Sequence, residues 1–597
     1  MSKKKVAINY TARDFNSIKE QLLDYTKRYY PETYQDFSEA SFGSLMIDTV
    51  SYVGDMLSYF VDYQANESFL QTAYERENII RLSRQLGYNY QDVSTATGEV
   101  FIYALIPANE LGLGPDSNYM PIIKSGTTLS DQSDNGFILT EDIRFDDPAN
   151  EVVVGRVNES TGLPTSYAVR ASGKIISGQL EEIQLDIGDY EKFLKLEIPD
   201  TNVVEIISVV DLEGNEYYQV DNLTQDIIYK TFANDGENSD TVKEYLRPIS
   251  APRRFTFEYD GENYFLQFGH GSEETIEINQ VADPSDVALQ MHGRDYVADV
   301  QIDPTRLLQT DKMGVSPSST TLTIVYRKNT NENTNAAAGS INNFSDLNIT
   351  FKDILSLSSS KISSVRGSLE ITNQNPIVGS SVSPTAEEIK IRAQAHFATQ
   401  NRAVTEKDYE SMIYSMPSKF GSISRCNIVI DSDAFKRNLN AYVLGTDKDN
   451  KLTRLNNTLK ENLKIWISNY KMINDTVDII DAKIVNLAIE FDVVSDPDFN
   501  SSEIYGKCIS VLSEKYSKAL QMGEPFYVTD VYFALNKISG VIDTKNVRII
   551  NKNSSRYSST SYNIESNMSS DGRYLRCPTN VCFEIKYPNV DITGVIR

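Results

Sequence analysis

Residues 44–64 read SLMIDTV, SYVGDML, SYFVDYQ, so serine, aspartate and apolar residues return every seven positions. Met46, Val50, Val53, Leu57 and Phe60 alternate spacings of four and three. That spacing winds them onto one seam of an α-helix, which is buried efficiently only when another helix packs along it. Asp48, Asp55 and Asp62 form an acidic stripe beside the seam. Two readings stay open. The helix is buried within its own domain and the aspartates are merely solvated, since three heptads are the minimum for a coiled coil. Or the seam enters a bundle shared with another chain, whose basic flanking positions pair with the aspartates.

The surrounding pattern extends the helical reading over residues 1–95, a bundle-forming segment. Thr11 and Asp14 have the spacing of a capping box, with Tyr10 and Phe15 flanking it as a hydrophobic staple. Ile18, Leu22 and Tyr25 continue one helical face, and Pro31 ends it. From about residue 96 the apolar period drops to two, which predicts β-rich domains over 96–250 and 251–345. Phe255, Phe257 and Tyr259 lead into Asp260-Gly261, and Tyr264, Leu266 and Phe268 return, a hairpin signal. Ile206–Val210 and Tyr217–Val220 around Glu213-Gly214-Asn215 give another. Residues 329–384 are rich in Asn, Ser and Thr and read as loops and short strands, with 346–384 as a linker.

Thr385 and Glu388 make a second capping box and open a helical connector over 385–430. Thr405 and Asp408 make a third, with Val404 and Tyr409 as its staple. Residues 431–597 alternate strand and helix patterns, ending in a final strand near 545–550. They predict two tandem α+β units with helices on one face of antiparallel sheets. The expected fold class is therefore α+β and multidomain: an N-terminal helical bundle segment, central antiparallel β domains and C-terminal tandem α+β units.

Charge and chemistry exclude several functions. With 57 Lys+Arg against 83 Asp+Glu, the 597-residue chain carries a net charge of −26. It repels phosphate backbones and acidic lipid surfaces, so neither nucleic acid nor membrane is an expected partner. No run approaches the ~18 apolar residues of a membrane-spanning helix. The basic start, MSKKKVAINYT, has no apolar segment behind it and is not read as a secretory signal. Four cysteines in so long a chain fit a reducing compartment, and the Cys577/Cys582 pair lacks neighbours to complete a zinc site. The 35 tyrosines suit surfaces that become interfaces.

Catalysis requires titratable groups brought together with tuned pKa values. His270, His292 and His396 sit in no metalloprotease or deaminase pattern, and no nucleophile elbow or phosphate loop is present. No catalytic residue, cofactor or small-molecule substrate is expected. One segment has calcium-ligand spacing: Asp131, Ser133 and Asn135 occupy loop positions 1, 3 and 5, with Asp142 at 12. Its flanks look like strands rather than the helices of an EF-hand, which favours a plain β-hairpin loop.

The stretch RAVTEKDYE, Arg402–Glu410, resembles the signature of baseplate J-like wedge proteins of contractile phage tails. YTARDFNSIKEQLLDY, FGSLMIDTVSYVGDMLSYFVDYQANESFL, PIIKSGTTLS, MGEPFYVTDVYFALNKISGVID and EIKYPNVDITGVIR are similar to the T-even-type wedge subunit. The resemblance implies a non-enzymatic virion protein of the tail baseplate, assembled in the host cytoplasm. Its copies would join wedges into a ring around the hub. Its N-terminal helices would enter a bundle with another wedge subunit, and its C-terminal part, 431–597, would be a dimerisation domain making homotypic contacts. The ring would hold the sheath initiator and rearrange on contraction. Alternatives are a receptor- or glycan-binding tail protein, a cell-wall hydrolase, and the equivalent wedge protein of a bacterial contractile injection system.

Overall fold

The computed structural model describes residues 14–32, 38, 41–90, 92–109, 113–159, 162–234, 242, 244–272, 313–381, 383–431 and 438–597. Tyr10, Thr11 and His292 lie outside the described residues. The chain is α+β and multidomain. It divides into two compact units, Met1–Tyr88 with Thr385–Gln394, and Asn89–Pro384 with Ala395–Arg597.

The first unit is helical. Helix α1 spans Phe15–Tyr29, α2 Phe42–Glu67 and α3 Arg76–Gln85. The first cap differs from expectation: Asp14 is itself the N-cap of α1, accepting hydrogen bonds from the Ser17 hydroxyl and its N–H. Those two donors hold the Asp14 carboxyl below its ordinary pKa. Ser41 caps α2 by accepting from the Ser44 N–H at 3.1 Å. At the other end of α2, buried Glu67 accepts from the Asn78 side chain at 3.0 Å and the Tyr74 N–H at 2.7 Å. One carboxylate thus ties the turn between α2 and α3 together, and these bonds lower its pKa.

In the second unit, helix α4 spans Ser359–Gly367, while α5, Ala386–Thr399, begins among the residues of the first unit. Strands β1 (Thr97–Pro107), β2 (Thr128–Asp131), β3 (Gly136–Leu139), β4 (Glu151–Val157) and β5 (Pro164–Ser177) open the first sheet. A second sheet uses β6 (Gln179–Ile187), β7 (Lys195–Ile198), β8 (Val203–Val210) and β9 (Glu216–Gln219). The ribbon β10 (Ile227–Ala233) and β11 (Glu244–Ser250) stands apart. The second sheet continues with β12 (Arg254–Tyr259), β13 (Tyr264–Phe268) and β14 (Thr320–Lys328). Strands β15 (Ile341–Asp346) and β16 (Glu370–Thr372) return to the first. The first sheet runs β15-β2-β3-β5-β1-β16, with β4 beside β5; the second runs β6-β14-β8-β9-β12-β13-β7. Pairing is antiparallel throughout both, except that β9 runs parallel to β12.

The first core explains why 346–384 is more than a linker. Alternate residues Val100, Ile102, Ala104 and Ile106 of β1 pack in one cluster with Ile341, Phe351, Val365, Ile371 and Ile377. Strand β16 pairs with β1 through Phe101 and Thr372. Partners that far apart in sequence leave no local periodicity to read. Where the two sheets meet, buried Arg327 donates to Glu205 at 2.9 Å and to the Ser177 carbonyl. Burial pulls this guanidinium's pKa down, and Glu205 opposes the shift.

The C-terminal part holds two mixed sheets, not the antiparallel ones expected. Strands β17 (Arg425–Ile430), β18 (Asn438–Thr446) and β19 (Leu452–Thr453) pair in order, and β20 (Thr476–Asp481) runs parallel to β18. A parallel pair needs a crossover, and helix α7, Asn457–Ser468, lies on that connection, preceded by α6, Glu406–Tyr414. Strand β21 (Lys483–Ser495) is the axis of the last sheet. Strand β22 (Val541–Lys552) pairs with it antiparallel, while β23 (Val581–Glu584) and β24 (Ile592–Ile596) pair with it parallel. Strands therefore continue well past residue 550. Helices α8 (Ser501–Lys515) and α9 (Val528–Asn536) supply Ile504, Cys508, Leu512, Val531 and Leu535 to its core.

Candidate functional site

The exceptional surface lies on α2. Its only buried residues are Ser44, Ser51 and Glu67. Met46, Val50, Val53, Leu57 and Phe60 are 49–60% exposed. At 100° per residue, Ser44, Ser51 and Gly54 fall on one side of the helix and these five residues on another. The small side meets α1: a Cβ at Gly54 would stand 3.2 Å from Ile18 Cδ1. Small residues let two helices approach closely, so α1 covers the polar side of α2 and leaves the apolar side bare.

The bare face is wider than the seam named from sequence. Leu45, Tyr52, Met56, Tyr59 and Val61 are also exposed. The heptad count missed them because it tracks two positions in seven, while the whole non-serine side is apolar. Docking a partner on the five seam residues alone would contribute about 5 kcal/mol, taking about 1 kcal/mol for each half-exposed side chain. Asp48 forms an ion pair with Lys19 of α1 at 2.6 Å, so the first member of the acidic stripe is used within the chain. Asp55 and Asp62 are half-buried.

The signature near residue 405 is built as a cap. Thr405 Oγ1 accepts from the Asp408 N–H at 3.2 Å, and the Asp408 carboxylate accepts from the Thr405 N–H at 2.9 Å. Tyr409 is fully buried and donates to Asp475 at 2.9 Å, whereas Val404 is exposed. A cleft of about 380 Å³ opens beside them, lined by Val404, Thr405, Tyr409, Ile430 and Asp475.

The calcium-spaced residues do something else. Strands β2 and β3 pair as a hairpin. Buried Asp131 accepts from the Ser133 N–H at 2.8 Å, the Asn135 N–H at 2.8 Å and the Asn135 side chain at 3.1 Å, closing its own turn. Asp142 lies beyond β3 and accepts from Lys124 at 2.7 Å and the Ser125 N–H at 2.9 Å, which lower its pKa. Among the described residues, no group of three or more His, Cys, Asp or Glu side chains could hold a metal ion. His270 is buried and stacks on Phe193, and His396 Nδ1 lies 3.3 Å from the Ser415 hydroxyl. Among the described residues, no helix is long and apolar enough to cross a membrane.

Residues 14–85 match the family described as "Bacteriophage baseplate protein, N-terminal domain". The match begins at the cap of α1 and ends with α3, so it coincides with the segment that carries the bare face. No curated protein matches the chain. Among solved structures, one match is the anti-feeding prophage baseplate, 10% identical over 91% of this chain and 96% of that one, with a TM-score of 0.25. Another is the type VI secretion system TssK-TssF-TssG baseplate subcomplex, 7% identical over 74% and 96%, also at 0.25. At a TM-score that low, neither likeness fixes the fold or the function.

Proposed function

We propose that this chain is a non-enzymatic structural component of the baseplate of a contractile phage tail, and within it a wedge subunit. The observation that carries the reading is the apolar face of α2, exposed in the same residues that match a baseplate N-terminal domain. An exposed apolar stripe of that length on a chain of net charge −26 is a surface waiting for another helix. In this reading α1 and α2 enter a helical bundle with a second wedge subunit. The C-terminal α+β part makes homotypic contacts that join wedges into a ring around the hub. The ring holds the sheath initiator and rearranges when the sheath contracts.

The test is co-purification. Val53→Asp together with Leu57→Asp places two charges in the seam, while both positions are solvent-exposed in the chain alone. The double variant is expected to fold and to lose its partner tail proteins on co-expression. Retention of those partners at wild-type yield would overturn the reading.

A further inference from the structure

A cleft of about 670 Å³ opens where separate parts of the second unit meet. Asn375 and Pro376, just past β16, form one side, and β19 with the first turn of α7 forms the next. The end of β20, the start of β21, the end of β23 and residues 557–559 close the rest. Junctions between packed parts are where ligand clefts of this size form. The charge of the cleft is opposite to that of the chain. The chain has 57 Lys+Arg against 83 Asp+Glu, whereas Arg454, Lys460 and Lys586 line the cleft against Asp481 and Glu584. Asp481 is neutralised by Lys460, which donates to it at 2.8 Å. Glu584 is buried and engaged, accepting from the Leu452 N–H at 2.9 Å and the Asn486 side chain at 3.0 Å. Burial raises its pKa, which weakens its charge further. Lys586 gives one N–H to the Arg556 carbonyl at 2.9 Å and keeps two. Arg454 is exposed and makes no hydrogen bond or ion pair among the described residues.

We propose that this cleft holds an acidic segment of another polypeptide, with a carboxylate of that segment on Arg454 and Lys586. The planar guanidinium of Arg454 suits a carboxylate through two parallel N–H groups, and the Lys586 ammonium adds a point charge beside it. The cleft is far larger than a lone phosphate, and the remaining carboxylates of Asp481 and Glu584 would repel a doubly charged one. Polar groups of both kinds are left for a backbone. The Oδ1 atom of Asp481 is buried and accepts no hydrogen bond among the described residues, while the amides of Asn375 and Asn457 are exposed. A peptide supplies an N–H to the first and C=O groups to the others. The inference concerns a surface remote in sequence from α2 and does not rest on the wedge reading.

The experiment is fluorescence anisotropy of fluorescein-labelled hexaglutamate with the full chain at low salt. A chain of net charge −26 repels this probe except at a local cation site, so saturable binding reports such a site. Binding is expected, and Arg454→Glu should weaken it by about tenfold or more. Lys545→Glu makes the same charge change at an exposed position of β22 outside the cleft, and should weaken it by less than about twofold. Circular dichroism checks that both variants keep the fold. Inorganic phosphate and a galacturonate hexamer, an acidic carbohydrate, serve as competitors at matched ionic strength. Neither should displace the probe at concentrations where unlabelled hexaglutamate does. No saturable binding, an equal loss from Arg454→Glu and Lys545→Glu, or displacement by phosphate or galacturonate as readily as by hexaglutamate would overturn the proposal. The chain is tested without partners, so such a failure leaves the α2 co-purification test untouched.

Discussion

Helices α2 and α7 begin from similar sequence logic and end in opposite places. Both carry apolar residues at spacings of three and four. Helix α7 turns Leu459, Leu463 and Ile467 into a core shared with β17, β18 and α6. Helix α2 turns its serines inward and its apolar residues to solvent. Periodicity thus reports that a helix has an apolar face; it does not report whether the covering surface belongs to the same chain. The small residues of the heptad, Ser44 and Ser51, carried the deciding information, because they mark the side on which α1 already sits.

The two helices should respond oppositely to the same truncation. Leu463→Ala removes a fully buried side chain and is expected to cost about 2–5 kcal/mol in urea unfolding of the isolated chain. Leu57→Ala is expected to shift the same curve by less than about 0.5 kcal/mol, its effect appearing only in partner binding. A comparable loss from both would mean that the α2 face is covered within the chain.

Next in size is Arg327→Met. It strips Glu205 of the buried guanidinium that pairs with it, and about 3 kcal/mol of destabilisation is expected by the same measurement. Thr405→Ala removes one arm of the capping box and should cost about 1 kcal/mol, with Thr405→Ser recovering most of it. The smallest effect is at Asp142. Its folded pKa is lowered by Lys124 first and the Ser125 N–H second, so its contribution is complete above the unfolded carboxylate value. It fades as pH falls through the lower folded value. Asp142→Asn should therefore differ from wild type by about 0.5 kcal/mol near neutral pH, and the difference should vanish in acid melting curves.

Local signals are legible in the residues alone. The capping boxes at Thr385/Glu388 and Thr405/Asp408 and the hairpin Phe255–Phe268 depend on residues a few positions apart, and each forms. What sequence left hidden depends on distance along the chain. The return of β16 onto β1, the parallel pairing of β18 with β20, and the strands beyond residue 552 all join segments with no shared local pattern. The calcium-like spacing has a local physical origin. A short carboxylate beside backbone N–H groups satisfies itself at once, and Asp131 does so within its own hairpin.

Hydrogen exchange across Phe42–Glu67, in the full chain alone and in the same chain within its co-expressed tail assembly, reads whether another chain covers the α2 face. Coverage by another chain means fast exchange of the α2 amides in the isolated chain and strong protection once partner helices lie on the seam. Equal protection in both states would contradict it, because the face would then be satisfied without any other chain.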